Sequence, residues 1–322
     1  MSMRFRTAAA LSAISVLLVL AAASAAQAQS NWFSGFTAQA PAVDQSGRRE
    51  WVWQGKDSLR YGGSGHLRYE PGGAPRIIVT GDPDEVANIE VDGGTIRRRE
   101  TPGFSFRRDP KLEILVQGVT LNNFDLAGSG SMDLGRLQRD ALDLKVHGSG
   151  TLNAQGQAKH LTLQVDGSGH ANLDQMSAGS AAITVTGSGS IATAAISESA
   201  NIHITGSGKA RVGDVGKKAD IRITGSGDAI LGRVDDVSAK VTGSGTARLS
   251  SQPQRSDYSI MGSGKVLLVG ADGKTTELAG KDLERARRDR EREAARAERQ
   301  REREREQAER DRERAQRDRD RN

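Results

Sequence analysis

Apolar and polar residues alternate along most of this chain in a pattern that returns about every 19 residues. A Gly-Ser-Gly triplet marks each repeat, and the positions two and four residues before and after it are nearly all apolar. Alternation with a period of two predicts half-buried β-strands on both sides of a glycine corner. The eight triplets, which are almost equally spaced, occupy 128–130, 148–150, 167–169, 187–189, 206–208, 225–227, 243–245 and 262–264.

One such pair of strands cannot bury its apolar side alone, but stacked copies can. The pattern therefore predicts an all-β fold, a parallel β-helix (solenoid) of about 19 residues per turn over residues 73–272, with neighbouring turns ~4.8 Å apart. Aromatic residues make up only 4% of the chain, so the predicted core is aliphatic. An earlier triplet, 63–65, lies outside the period and is not assigned to the repeat.

Two columns of hydroxyl side chains are predicted on the outside of the solenoid. The corner serines would form either a flat ligand-binding strip, for example for sugar, or a structural ladder whose hydroxyls satisfy neighbouring backbone. A threonine precedes the triplet in four consecutive repeats, and a regular array of this kind can match a repetitive partner surface. The corner ladder is Ser129, Ser149, Ser168, Ser188, Ser207, Ser226, Ser244 and Ser263, and the candidate contact face is Thr186, Thr205, Thr224 and Thr242.

The residues before the repeat are irregular. Residues 29–72 contain all three tryptophans, Trp32, Trp51 and Trp53, and are predicted to be a lead segment that caps the open apolar end of the solenoid. The alternative is an exposed aromatic contact site. Residues 73–127 carry irregular apolar runs, which are interpreted as early, longer turns of the same helix.

The N-terminal segment, residues 1–28, has the pattern of a secretory signal. Arg4 and Arg6 precede a long apolar run, and a small-x-small motif predicts cleavage between Ala28 and Gln29. An uncleaved anchor helix is the alternative, because the apolar run approaches the length that spans a bilayer. Since no later segment is apolar enough to cross a membrane, the protein is predicted to be exported, to the periplasm or the cell surface.

Residues 275–322 are predicted to be a charged tail. From residue 281 onwards the segment is dense in Arg and Glu and has neither glycine nor proline. Oppositely charged residues three or four apart, such as Glu302 and Arg305, favour a solvent-exposed helix, with disorder as the alternative.

Charge and composition exclude several functions. Without cysteine there are no disulfides, thiolate metal sites or thiol nucleophiles. The net charge of +5 arises near the ends, since residues 29–280 hold 27 basic and 27 acidic side chains, so nucleic-acid binding is not predicted. A local basic cluster at 97–99, 107, 108 and 111 is interpreted as a solvated surface, with contact to an acidic polymer or lipid head groups as the alternative.

No catalytic or metal motif is evident. His147 and Asp166 should lie on neighbouring turns, but two ligands are too few for zinc and the pair is interpreted as a surface contact. The acidic residues Asp214, Asp235 and Asp236 would have to converge in one groove to serve a carbohydrate-active β-helix enzyme. Turns as short as these leave no room for the long loops that usually carry such sites. No enzymatic activity and no cofactor are predicted.

The sequence resembles a bacterial family, the putative auto-transporter adhesin, head GIN domain. The resemblance rests on IIVTGDPDEVANIEVDGGTI (77–96) and on repeated V/I-T-G-S-G motifs, and it covers roughly residues 50–270. It implies a right-handed β-helix on an exported protein, with adhesion as the suggested role.

The leading hypothesis is a non-enzymatic structural or binding module of the bacterial envelope or surface. It would present polar ladders to a glycan, a cell-wall polymer or an envelope protein, and a homo-oligomer is also open. The alternatives are a periplasmic scaffold acting through the charged tail and, less favoured, a carbohydrate-active enzyme.

Overall fold

The structure is a computed structural model that describes residues 36–99, 111–270, 272–280, 298–300 and 302. The predicted signal, with its cleavage site at Ala28 and Gln29, and most of the charged tail lie outside the described residues. Within them the protein is nearly all-β, with one short helix, α1 (Pro83–Ala87). The strands are β1 (Val43–Gln45), β2 (Arg48–Val52), β3 (Ser58–Gly63), β4 (His66–Glu70), β5 (Arg76–Gly81), β6 (Ile89–Asp92), β7 (Thr95–Arg98), β8 (Leu112–Gln117), β9 (Asn123–Gly128), β10 (Ser131–Gly148), β11 (Thr151–Gly167), β12 (His170–Gly187), β13 (Ser190–Thr193), β14 (Ile196–Gly206), β15 (Lys209–Val212), β16 (Val215–Gly225), β17 (Asp228–Leu231), β18 (Val234–Gly243), β19 (Thr246–Leu249), β20 (Arg255–Gly262), β21 (Lys265–Val269) and β22 (Thr275–Gly280).

From β9 to β21 the chain winds as a parallel solenoid, which confirms the predicted fold. β10, β11 and β12 each run through almost a whole turn, and later turns are divided into two strands. Each turn pairs in parallel with the next, and the first glycine of every triplet lies in register with that of its neighbours, as Gly187 does with Gly167 and Gly206. One repeat of the sequence is therefore one turn of the solenoid.

The core consists of stacked columns of aliphatic side chains. The four predicted columns, two and four positions on either side of the triplets, are buried through most of the solenoid and become half-buried at Tyr258, Ile260 and Leu268 in the last turn. The sequence analysis did not identify two further columns. These are Leu142, Leu161, Ala181, Ala200, Ala219 and Val237, and, on a third side of the turn, Ile196, Val215 and Val234.

The two glycines of the corner triplet are needed for different reasons. The first has a positive φ, from +103° at Gly128 to +117° at Gly262, which L side chains rarely adopt. The third lies against the apolar column of the turn before it. A Cβ on Gly208 would stand 2.4 Å from Cγ1 of Val185 and 2.8 Å from the carbonyl oxygen of Gly189.

The early triplet belongs to the solenoid, which corrects its interpretation as a feature outside the repeat. Gly63 lies in register with Gly128, and Leu59 and Tyr61 lie beside Phe124 and Leu126 in the core. The turn formed by β3 and β4 is sandwiched between β7 and β8 on one side and β9 and β10 on the other. The order of turns in space thus differs here from their order in the chain.

Antiparallel strands cover the N-terminal end of the solenoid. β1 pairs with β2, β2 with β5 and β5 with β8, while β6 and β7 form a hairpin. Trp51 is buried, and Trp53 is half-buried against the core, as a cap requires. An exposed aromatic contact site is therefore wrong for these two residues, and Trp32 lies outside the described residues. β5 and β6 are not the early solenoid turns expected for this region.

The C-terminal end is covered by β22, which runs antiparallel to β21. Leu278 and Ala279 pack against the core, so residues 275–280 form a strand rather than the start of the charged tail. Farther along, residues 298–300 and 302 are helical. No helix in the described parts of the chain has the length and apolarity to span a membrane.

Candidate functional site

The corner serines stand on the outside of the solenoid. All eight are exposed. From Ser149 onwards their backbone N–H groups bond the neighbouring turn: that of Ser188 donates to the carbonyl of Gly167 at 2.9 Å, and that of Ser207 to the carbonyl of Gly187 at 2.8 Å. The backbone therefore supplies the hydrogen bonds between turns at the corner, and the hydroxyls point to the exterior.

The four predicted threonines form an unbroken column beside these serines. Thr186, Thr205, Thr224 and Thr242 lie in register on successive turns and are exposed or half-buried. Together with the adjacent corner serines they form a surface that we call the Ser-Thr face, which consists of Thr186, Thr205, Thr224, Thr242, Ser188, Ser207, Ser226 and Ser244. Because paired strands lie ~4.8 Å apart, the face repeats its hydroxyls at that interval along the axis.

At the N-terminal end of the threonine column, charged residues replace the hydroxyls. His147 lies between two carboxylates: its Nδ1 is 3.2 Å from Oδ2 of Asp166 on the following turn, and its Nε2 is 3.6 Å from Oδ1 of Asp125 on the preceding one. The predicted contact between His147 and Asp166 is thus present, and sequence reasoning missed the third member. Arg60 approaches Asp125 from the other side, at 3.9 Å.

The two carboxylates have opposite pKa shifts. Burial raises the pKa of Asp125 to about 6, against the opposing effects of His147, Arg60 and Lys145. The hydrogen bond with His147 holds the pKa of Asp166 below its usual value, although partial burial opposes this. No group of three or more His, Cys, Asp or Glu side chains suited to a metal ion occurs among the described residues.

A second polar surface lies on the other side of the corner. We call it the amide groove; it has a volume of about 460 Å³ and its polar lining residues are Asp133, Asn153, Gln155, Asn172, Asp174 and Gln175. Asp133, Asn153 and Asn172 lie in register on three successive turns. Nδ2 of Asn153 donates a hydrogen bond of 2.6 Å to Oδ1 of Asp133.

The recess results from a difference in length between neighbouring turns. Between two paired positions the middle turn has a single residue, Ala154. At the same place the preceding turn has two residues, Leu134 and Gly135, and the following turn also has two, Leu173 and Asp174. Such β-bulges displace the strand that carries them and redirect its side chains. The shorter turn is therefore recessed between two bulged neighbours. The sequence analysis missed this site, whose only signals were slightly unequal spacings between successive triplets and polar residues three positions after them.

Two of the three acidic residues considered as catalytic candidates are held in ion pairs, and the third, Asp235, is exposed. Asp214 accepts hydrogen bonds from Arg233, and Asp236 accepts them from Arg255, in each case from the next turn. These arginines lower the pKa of both carboxyls. A general acid requires a raised pKa, so these groups are poorly suited to that role.

The three described arginines of the local basic cluster are held in ion pairs. Arg97 and Arg99 both contact Glu90, at 3.0 and 2.7 Å, and Arg98 contacts Glu85 at 3.0 Å. This agrees with its interpretation as an ordinary charged surface.

Several solved structures share this fold. A "putative lipid binding protein" from Parabacteroides distasonis ATCC 8503 superposes with a TM-score of 0.60 at 23% identity, covering 68% of this chain and 94% of the other. A "putative adhesin" from Parabacteroides merdae ATCC 43184 gives a TM-score of 0.56 at 20% identity, with 70% and 98% covered. At these identities the likeness shows the fold alone. A search among curated proteins found no match.

The family is established by the sequence itself. The profile described as "Putative auto-transporter adhesin, head GIN domain" matches residues 57–232, more than half of the chain. The match begins just before β3 and so includes the early triplet turn as well as most of the regular solenoid. The chain therefore belongs to the putative auto-transporter adhesin, head GIN domain family.

Proposed function

We propose that the protein is an exported, non-enzymatic binding module that holds a repetitive envelope or surface partner against its Ser-Thr face. The observation that carries the proposal is the unbroken column of Thr186, Thr205, Thr224 and Thr242, in register on four turns and flanked by exposed serines. Membership of an adhesin-like family supports both the export and the binding role.

The rigidity of the solenoid suits this role. Strands hydrogen-bonded on both sides keep the hydroxyls at fixed positions, so a partner with a matching repeat is bound without first ordering the surface. Each hydroxyl can both donate and accept a hydrogen bond, so the face does not require a charged partner. Binding without catalysis is also consistent with Asp214 and Asp236, each of which is held in an ion pair with an arginine of the next turn.

The test compares two variants that add the same charge in different places. Thr205→Arg with Thr224→Arg places two arginines on the Ser-Thr face. Gln138→Arg with Gln157→Arg places two at exposed positions that are likewise paired on neighbouring turns but lie away from that face. Purified protein is sedimented with envelope fractions of the native bacterium. We expect the glutamine variant to bind like the wild type and the threonine variant to bind at least tenfold less.

Equal binding by all three proteins would assign the interaction to another surface, and no binding by the wild type would overturn the proposal. Protease treatment of intact cells separates the two compartments. Digestion of the solenoid would place it at the surface, where adhesion is the role to pursue, whereas protection and release with the periplasm would direct the search to periplasmic partners.

A further inference from the structure

The amide groove carries groups that match the hydroxyls of a sugar. Each side-chain amide of Asn153, Gln155, Asn172 and Gln175 offers both donors and an acceptor, while Asp133 and Asp174 offer acceptors only. Adjacent sugar hydroxyls each donate and accept. A lining of mixed amides and carboxylates can therefore engage neighbouring hydroxyls in pairs.

The shape of the groove limits what can occupy it. The recess is centred on one shortened turn and enclosed by the bulged turns on either side, so it differs from the flat hydroxyl ladder across the corner. Its volume of about 460 Å³ falls within the range of small-ligand sites. The solenoid continues beyond the bulges, so a chain could extend from the occupied recess along the surface.

The charge of the groove lining favours an uncharged polymer over an anionic one. The groove has two carboxylates and neither lysine nor arginine among its lining residues, so a phosphate- or sulfate-bearing chain would be repelled. The lining also has no aromatic ring on which a sugar could stack. Recognition would depend on hydrogen bonds to the hydroxyls of an uncharged sugar.

One wall of the groove is held in place by its own contacts. Asp133 accepts the hydrogen bond from Asn153 through Oδ1, and its Oδ2 lies 3.4 Å from Nε2 of His66. His66 is in turn linked to Ser131 through a hydrogen bond of 2.8 Å. These contacts fix the carboxylate before a ligand arrives, which reduces the entropy lost on binding.

We propose that the amide groove is a binding site for a neutral saccharide, held by the Asp133, Asn153 and Asn172 column and by the amides beside it. This inference adds a second site, with a stated ligand class, to the binding module proposed above, and it rests on that proposal. It places sugar recognition in the groove, separately from the partner that the Ser-Thr face holds.

The test uses the purified full chain and immobilised neutral hexasaccharides, namely cellohexaose, xylohexaose and mannohexaose, with heparin as the anionic comparison. Asn153→Ala with Asn172→Ala removes two amides from the groove. Gln138→Ala with Gln157→Ala removes two exposed amides that belong neither to the groove lining nor to the Ser-Thr face, and serves as the control. We expect the wild type and the glutamine variant to bind at least one hexasaccharide in preference to heparin, and the asparagine variant to bind at least tenfold more weakly. Thermal unfolding confirms that both variants are folded.

The possible failures are distinguishable. Equal saccharide binding by the wild type and the asparagine variant would overturn the groove assignment and leave the proposed function in place. The same holds if the wild type binds envelope fractions but none of the hexasaccharides. If the wild type binds neither, both proposals fail.

Discussion

Nε2 of His147 lies 3.6 Å from Oδ1 of Asp125, a buried carboxylate oxygen that has no hydrogen-bond partner among the described residues. The same imidazole contacts the better solvated Asp166 through its other nitrogen. His147 thus lies between two different carboxylates. Burial destabilises the ionised form of Asp125, whereas contact with His147 stabilises the ionised form of Asp166.

This arrangement predicts that stability depends on pH through Asp125. Burial raises its pKa from 3.8 to about 6, so the folded protein binds the proton more tightly than the unfolded chain does. The free energy of unfolding should therefore fall as the pH rises from about 4 to about 6, and the loss should persist above that. Asp125→Asn should then stabilise the protein at pH 7 by about 3 kcal/mol, since one pKa unit is worth ~1.4 kcal/mol. Denaturant unfolding at several pH values measures this.

Asp166→Asn is the matched control, and its effect should have the opposite sign. The hydrogen bond with His147 lowers the pKa of Asp166, so its contribution is present at pH 7 and is lost as the pH falls below the usual value of 3.8. We expect a destabilisation of less than ~1 kcal/mol at pH 7, because the side chain is partly exposed. Shifts of the same sign in both variants would contradict this account of the cluster.

The third glycine of a triplet should not tolerate even a methyl group. In Gly208→Ala the new Cβ would overlap Cγ1 of Val185 and the Gly189 carbonyl, so the turns would have to separate locally. Overpacking of this kind typically costs ~1–3 kcal/mol. In Gly72→Ala the new Cβ would meet nothing within 4 Å, so that change should leave the free energy of unfolding within ~1 kcal/mol of the wild type. Equal effects of the two substitutions would show that the corner can relax.

Thr193 is a polar residue in an otherwise apolar column. It is buried between Leu173 and Val212, and its hydroxyl has no hydrogen-bond partner among the described residues. Thr193→Val should stabilise the protein by ~1 kcal/mol, because it replaces an unsatisfied buried hydroxyl with a methyl group of similar shape. Thr224→Val, on the exposed face, should change the free energy of unfolding by less than ~0.5 kcal/mol. A destabilising effect of Thr193→Val would indicate that the hydroxyl is satisfied in solution.

β22 should protect the last turn of the solenoid. Leu278→Asp would place a charge against the core and weaken the pairing of β22 with β21. We expect a lower thermal midpoint and, because an uncovered strand edge pairs readily, some self-association in size-exclusion chromatography. Thr275→Asp, an exposed change in the same strand, is the control and should have neither effect. An unchanged midpoint in Leu278→Asp would show that β22 is not needed as a cap.

The regular part of the solenoid could be predicted from the amino-acid sequence alone. Each turn packs on a near-copy of itself, so the requirement for an aliphatic side chain at Val185 recurs at Ile204 and Ile223, and the period is visible in one dimension. The same repetition identified the corner serines and the threonine column. The columns that begin at Leu142 and Ile196 were missed because the alternation was followed for only two apolar positions on each side of the triplet.

Features that depend on differences between turns or on distant pairing became visible only in the folded chain. Gly63 pairs with Gly128, although several turns' worth of residues separate the two in the chain. Strands of the antiparallel cap are inserted between them and hide their common period. The amide groove exists because a short turn lies between two bulged ones. Its side chains point outward, so they are not required to be apolar and need not repeat as the buried columns do. Burial imposes a pattern that can be read from the sequence, whereas the outer surface takes its shape from how the turns are stacked.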